Sequence, residues 1–518
     1  MMIVPKIETR CDQMDFGVRV EAKGFVVDLL FNLDRASKRG LQKQLKDQIS
    51  AAIFEGQLAP NASLPSSRNL ASKLGVARNT VMLAYTALQE DGFIISKERS
   101  GYFVNGDIIA DALPRIRPAQ SACQSKKSRV NWDKRLTLNL RQQNHIVKPT
   151  NWRDYKYCFV YGQIDPGLFP VRHWRECWRD AVGVQEITDW TQDLVDRDDR
   201  LLLEQIRTRL LTRRGLFVSE AQIIVTVGAQ NALFMAAKLL LKIGRTFGFE
   251  EPGYPDVRNI ASIFTPHVQP LSIDSEGVQI SDDLKACDLV YLTPSHQSPT
   301  TVTMSELRRQ AVLKSAQEND FLILEDDYEA ETNFMQRPLP ALMSSDENGR
   351  VIYIGSQSKT LAPGLRLGYM VGPESFISEV RALRRLIMRH PAANNQRAAA
   401  YFLSRGHHES LLRNLVRSNK QKRQILMESM ARYLPDFTIA TNQGGSSFWV
   451  RGPEGLDSRE LAKACLQLGA IIEPGTIHYA RAVQPQNRFR MGYTSIRLEN
   501  IEAGVKCIAQ CAKALGYG

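Results

Sequence analysis

The spacing of apolar and polar positions changes period along the chain. From Gly40 the apolar residues Leu41, Leu45, Ile49 and Ile53 recur at helical spacing and the run stops at Gly56, which predicts an amphipathic helix. After Pro65, Ser66 and Ser67 are natural caps for a short helix with Leu70, Leu74 and Val76 on its apolar side, and Gly75 supplies a turn. A second helix is expected from about Ala77 to Glu90, burying Val81, Tyr85 and Leu88. Beyond Asp91-Gly92, the runs FIIS and GYFV flank the polar KERS and predict a β-hairpin. Helix, helix-turn-helix and hairpin wing follow one another between Gly40 and Val104.

On either side the pattern fades. Residues 1–33 read as an irregular leader with a short strand at Gly24 to Leu30. Residues 107–150 carry Arg115, Arg117, Lys126, Lys127, Arg129, Lys134, Arg135 and Arg141, several prolines and little apolar period, as expected of a mobile, solvated linker. From about Trp152 onward, short apolar runs such as IIVTVG, VYLTP, FLILEDD, VIYIGS and LGYMVG alternate with helical segments such as NALFMAAKLLLKIG. That alternation predicts a mostly parallel sheet wrapped in helices. The expected organisation is a leader (1–33), a winged-helix domain (34–106), a basic linker (107–150) and a large α/β domain (151–518).

A chain of 518 residues exceeds one ordinary core. No apolar run approaches the roughly 20 residues that cross a bilayer, and the start, MMIVPKIETRCDQMDFG, lacks the order of a signal peptide. A cytoplasmic protein without membrane contact is expected. The eight cysteines form no CxxC pair, and Cys507 and Cys511, one helical turn apart, have no neighbouring histidine. Reduced thiols are expected, rather than a disulfide framework or a metal site. The net charge of +12 permits a polyanionic partner without requiring one.

The helix beginning near Ala77 offers Arg78, Asn79 and Thr80 in its first turn, the end that a recognition helix presents to base edges and phosphates of double-stranded DNA. Arg68 on the preceding helix is placed to reach the backbone, and Lys97 and Arg99 at the wing tip to enter a minor groove or bind phosphate. The stretch LPSSRNLASKLGVARNTVMLAYTALQEDGFIISKERSGYFV (64–104) closely resembles the winged-helix domain of the GntR superfamily of bacterial regulators. The family pattern is LPSxRxLAxxLGVxRxTVxxAYxxL with a wing ending in GxGxFV; here Ser100 stands where a glycine is usual.

A second constellation lies in the large domain. A site for pyridoxal 5'-phosphate (PLP) needs a lysine for the Schiff base, a carboxylate for the pyridine nitrogen, donors for the phosphate and an aromatic face for the ring. Lys359 in GSQSKTLAPGLRLGYMVG follows an apolar strand and stands among Ser356, Ser358 and Arg366, hydroxyls and a guanidinium suited to a phosphate. LILEDDYEAE ends a strand in acids; Asp326 is chosen as the pyridinium partner and Tyr328 as a ligand of the ring oxygen. VTVGAQNALFMAA starts a helix whose first amides, at Ala229 and Gln230, face a phosphate. Tyr254 in EEPGYPDVRN is the ring-stacking candidate, His296 and Gln297 in TPSHQSPT are placed near the ring oxygen, and Arg490 in RFRMGYTS can grip an effector carboxylate with two bonds.

In order and spacing these motifs look like fold-type I aminotransferases, and specifically the MocR-type, or GabR-like, regulators, in which a GntR winged helix is fused to an aminotransferase-like domain with a smaller C-terminal α+β subdomain. The resemblance implies an internal aldimine at Lys359, Asp326 on the pyridine nitrogen, Tyr328 on the ring oxygen, Arg366 on phosphate, Arg490 on the effector carboxylate and a head-to-tail homodimer. It implies a regulator that senses a small amine or amino acid through an external aldimine. The alternative is an active aminotransferase with an accessory DNA module, which turnover assays with amines and keto acids would separate. Two motifs depart from the family. The glycine-rich DPxGxxxLR appears as DRDDRLLLEQI (196–206), and HQYPTG appears as HQSPTT, placing Ser298 and Thr301; both changes point to an altered effector pocket.

Overall fold

The computed structural model describes residues 31–37, 39–98, 100–107, 130–329, 331, 339–357, 359–440 and 444–517. The expected strand at residues 24–30, most of the leader, Arg99 and Ser358 lie outside the described residues. The chain divides into two compact units, residues 1–132 and 133–518.

In the first unit α1 (Leu41–Phe54), α2 (Ser67–Leu74) and α3 (Arg78–Glu90) precede a hairpin of β1 (Ile94–Lys97) and β2 (Gly101–Val104). The periodic apolar positions meet in one core: Leu45, Ile49, Ile53, Leu70, Val81, Tyr85, Leu88, Ile94 and Val104. Each such side chain contributes roughly 1.5–3 kcal/mol by leaving water. Ser66 caps α2 by accepting from the Asn69 amide at 3.2 Å. Gly75 then ends the helix at φ +63°, a left-handed conformation that glycine takes without steric cost. The only polar atom that Tyr85 carries into this core is satisfied, since its hydroxyl donates to the Pro65 carbonyl at 2.8 Å.

In the second unit the main sheet, as described, has eight strands. They are β3 (Ile223–Thr226), β4 (Phe247–Glu251), β5 (Val268–Asp274), β6 (Gly277–Val278), β7 (Leu289–Leu292), β8 (Leu322–Asp327), β9 (Val351–Ser356) and β10 (Gly368–Val371). Their order is β3-β10-β9-β8-β7-β4-β5-β6. Pairing is parallel from β9 through β8, β7 and β4 to β5, while β10 runs antiparallel to both neighbours and β6 to β5. Strands such as IIVT and LVYL are buried at every position, because helices cover both faces. Helix α4 (Ala229–Leu240) leaves β3 directly and buries Leu233, Met235 and Ala236 against the sheet, and α5 (Pro255–Ala261) follows β4.

The long helix α6 (His407–Tyr433) leads to a smaller sheet of β11 (Thr438–Ile439), β12 (Ser447–Arg451), β13 (Glu473–Pro474) and β14 (Arg488–Gly492), in the order β11-β12-β14-β13. With α7 (Ser458–Gln467) and α8 (Ile501–Ala514) it encloses a second core of Phe448, Leu461, Phe489, Met491 and Val505. The α/β class with a smaller C-terminal α+β subdomain is thus the observed architecture. Part of the stretch expected to be mobile is packed on this unit: Gln143 Nε2 donates to the Asn259 carbonyl at 3.2 Å, and Asn259 Nδ2 donates to the Asn144 carbonyl at 2.7 Å.

Candidate functional site

Parallel strands of an α/β sheet deliver loop residues to their carboxyl edge. Here a cavity of about 330 Å³ opens among the residues that follow β3, β4, β7, β8 and β9, and both Lys359 and Asp326 line it. A larger space of about 530 Å³ shares Tyr328 and Ser356 with it but is lined by neither Lys359 nor Asp326.

Alternation along β8 selects one acid from the EDDY motif. Glu325 and Asp327 are spent on packing: Glu325 accepts from the Leu342 and Met343 amides at 2.7 and 2.9 Å, and Asp327 Oδ2 accepts from Arg214 Nε at 2.7 Å and from the Tyr353 hydroxyl at 2.8 Å. Asp326 points the other way. Its Oδ2 accepts from the Tyr291 hydroxyl at 2.9 Å, while Oδ1 is buried with no partner. Burial lifts its pKa to about 7. An orphaned buried carboxylate oxygen is costly unless a donor arrives, and a protonated pyridine nitrogen is such a donor.

Lys359 stands on the turn after β9. Its Nζ lies 4.2 Å from the centre of the Tyr161 ring, and burial lowers its pKa to about 8 in spite of the acids Glu329, Asp326 and Glu473. Gly162, at φ +74°, makes room for it: a Cβ there would sit 2.5 Å from Nζ. Nearby, Gly228 caps α4 at φ +78°, and a Cβ on it would press against the Arg366 guanidinium at 3.0 Å. Arg366 Nη2 donates to the Val227 carbonyl at 3.0 Å, and Ala229, Gln230, Ser356 and Arg366 all line the cavity. A helix N-terminus, a hydroxyl and a guanidinium in one place form an anion cup. Tyr254 lines the wall, its hydroxyl 2.9 Å from Gln230 Oε1 and 3.0 Å from Asp256 Oδ2, and Tyr328 lines it beside Tyr161. The donor set fits PLP.

Two candidates require correction. His296 and Gln297 are buried behind the wall rather than lining it. Gln297 spends its amide on the loop itself, donating to the Pro252 and Ser298 carbonyls at 2.8 Å each and accepting from the Thr300 amide and hydroxyl. Ser298 lines the cavity in their stead. Thr301 adopts φ +61° where the family has glycine, keeping the turn at the cost of a strained threonine. The other departure lies elsewhere: Asp198 is buried against Arg381 and Arg384, and Asp199 caps a helix and pairs with Arg397; neither lines the cavity.

Arg490 is buried, with its guanidinium carbon 3.6 Å from the centre of the Tyr161 ring. Its Nε donates to Glu473 Oε1 at 2.7 Å, and Glu473 lines the cavity. Sequence reasoning missed Glu473, Tyr161, Gly162, Tyr291 and Lys148. Tyr291 and the Tyr161-Gly162 pair follow or lie in apolar runs and could have been noticed; Glu473 and Lys148 carry no local signal.

In the winged-helix unit, Arg68, Arg78, Asn79 and Lys97 are exposed and Thr80 is half-buried. Arg78 Nε lies 3.4 Å from Ser67 Oγ, tying the start of α3 to the start of α2, and Lys97 sits 4.9 Å from the Phe103 ring centre on the hairpin.

Fold and sites define a winged-helix DNA-binding protein that carries a PLP-type aminotransferase fold. Residues 41–104 match the bacterial regulatory proteins, gntR family, and residues 199–508 match aminotransferase class I and II. The chain is 37% identical to the HTH-type transcriptional regulator TauR of Rhodobacter capsulatus, over 93% of this chain and 99% of that one. It is 28% identical to the probable rhizopine catabolism regulatory protein MocR of Rhizobium meliloti, over 93% and 97%. The kynurenine aminotransferase of Pyrococcus horikoshii superposes with a TM-score of 0.65 at 25% identity, covering 77% of this chain and 98% of that one. The chain belongs to the MocR/GabR-like subfamily of GntR-type transcription regulators. Among the described residues no helix is long and apolar enough to cross a membrane.

Proposed function

We propose that this DNA-binding regulator holds PLP at Lys359 and responds to a small amine or amino acid that displaces the lysine there. The observation that carries the reading is the unpaired Oδ1 of Asp326 in the same cavity as a lysine whose pKa is brought down to about 8. PLP, when bound, supplies an aldehyde that condenses with amines and a ring that withdraws electrons. Asp326 would keep the ring nitrogen protonated, Tyr328 would bond the ring oxygen, with Ser298 rather than His296 or Gln297 beside it, and Tyr254 would cover the ring face. Ser356, Arg366 and the Ala229 and Gln230 amides would hold the phosphate. Ser358 would join them at the phosphate. Arg490, which is ion-paired with Glu473, would orient the effector's acid group.

On the DNA side, Arg78, Asn79 and Thr80 would read base edges, and Arg68, Lys97 and Arg99 would contact the backbone or minor groove. A head-to-tail homodimer in the cytoplasm would set two winged helices over two half-sites, and effector binding would alter their spacing. The domain limits 34–106, 107–150 and 151–518 belong to this reading.

The test is spectroscopic and electrophoretic. Purified protein is expected to show a cofactor band beyond the aromatic absorbance, lost in Lys359→Ala, and to change its affinity for operator DNA when an amine shifts that band. A wild-type protein that stays colourless with added PLP would overturn the reading.

A further inference from the structure

An amine docked at Lys359 must turn its other end toward Arg490 or toward the mouth of the cavity, and Arg490 is not a spare cation. Its Nε and Nη2 lie 2.7 and 2.6 Å from a single oxygen, Oε1 of Glu473, which also faces His478 Nε2 at 2.9 Å. Burial works to raise the Glu473 pKa, but Arg490 and His478 outweigh it and hold the carboxyl below its usual value, so it is ionised. Arg490 and Glu473 therefore nearly cancel. Only the Nε bond is aligned, and Nη2 is left buried without an acceptor in line. Such a guanidinium can orient an acid group, yet the ion pair as a whole gives it little net attraction.

A further cation stands at the wall of the same cavity. Lys148 lines it together with Lys359 and Glu473. The Lys148 ammonium lies 5.4 Å from the centre of the Trp152 ring, and the Arg153 guanidinium lies 5.3 Å from that same ring. Burial, and after it Arg153, lowers the Lys148 pKa, while Glu473 pulls it upward. Among the described residues Lys148 makes no ion pair with a carboxylate. Two exposed cations on one aromatic ring, with Glu473 as the acid acting on Lys148, still repel each other, and a further anion would relieve that repulsion.

We propose that Lys148 holds the effector's acid group at the cavity wall, supplying the net charge that the paired Arg490 and Glu473 lack, and that Glu473 sets how much of it is needed. This assignment rests on the regulatory reading above. Lys148 stands near the start of the second unit, a few residues after the Gln143 and Asn144 contacts to Asn259. Its contact with the acid would tie occupancy of the cavity to the chain that continues toward the DNA-binding unit.

The experiment uses the full-length protein loaded with PLP and two matched probes, β-alanine and propylamine, which differ in the acid group. The concentration that half-shifts the cofactor band is measured for each, and operator affinity is measured alongside. Wild type is expected to favour β-alanine. Lys148→Met is expected to cut that preference by about tenfold or more, Lys148→Arg to restore most of it, and Glu473→Gln to increase it. Loss of equal size for both probes in Lys148→Met would mean a purely structural lysine and would overturn the proposal, as would a preference that Lys148→Met leaves intact. A wild type that shows the band and its shift but does not favour the acid would refute acid recognition while leaving the regulatory reading standing. The absence of any band would defeat both.

Discussion

The Tyr291 hydroxyl donates to one oxygen of Asp326 at 2.9 Å and leaves the other oxygen buried and unpaired. The tyrosine fixes the rotamer, and the bare oxygen waits for a cationic donor. Asp326→Ala should weaken PLP retention by about tenfold to a hundredfold, the worth of one hydrogen bond to a charged group, as read by cofactor loss on dialysis. Tyr291→Phe should weaken it less.

The same residue gives the apoprotein a pH signature. Its folded pKa, about 7, lies above the 3.8 of an exposed carboxyl, so the folded state binds the extra proton between those values. The contribution of Asp326 to stability is then full below about 4 and is lost as pH rises through 7. Melting of the apoprotein from pH 5 to 8 should show a steeper decline in wild type than in Asp326→Asn.

Lys359 titrates near 8 because burial disfavours its charged form. The neutral amine is the nucleophile, so the rate at which apoprotein takes up PLP should rise through pH 8 and then level. A rate that kept climbing toward 10.5, the value of an exposed lysine, would contradict the buried position.

Gly162→Ala tests the room made for that lysine. The methyl would stand 2.5 Å from Nζ on a backbone at φ +74°. The variant should fold, with circular dichroism near that of wild type, and should lose the cofactor band.

On the winged helix, Arg78→Ala should cost about 1–3 kcal/mol of operator binding and relax preference at one base pair, whereas Lys97→Ala should weaken binding to all sequences alike and reduce the salt slope by about 1. Titrations against operator and scrambled duplexes at several salt concentrations distinguish the two.

Much of this protein is written locally. The caps at Ser66 and Gly75, the helical period through Leu41 to Ile53, and the apolar strands that end in Asp326 or precede Lys359 are contiguous signals. A strand that ends at the carboxyl edge of a sheet carries its next residues to the ligand, whatever the rest of the chain does. That is why the two modules, and the meeting of Lys359 and Asp326 in one cavity, were legible in the sequence. The error at His296 and Gln297 shows the limit. Within one loop, neighbouring residues face opposite ways, and whether Gln297 or Ser298 meets the cavity depends on the carbonyls of Pro252 and Ser298 that claim the glutamine amide.

Long-range pairing was beyond the sequence. Tyr161 and Gly162 shape the lysine's surroundings from far along the chain, and Lys148 reaches the cavity from a stretch without apolar period. Glu473 meets Arg490 because β13 and β14 run antiparallel with these two residues directly opposite, on one face. The sequence by itself determined which chemistry the chain carries, since that rests on short motifs; tertiary structure alone decided how the charges cancel, because strand register brings together residues that no local pattern links.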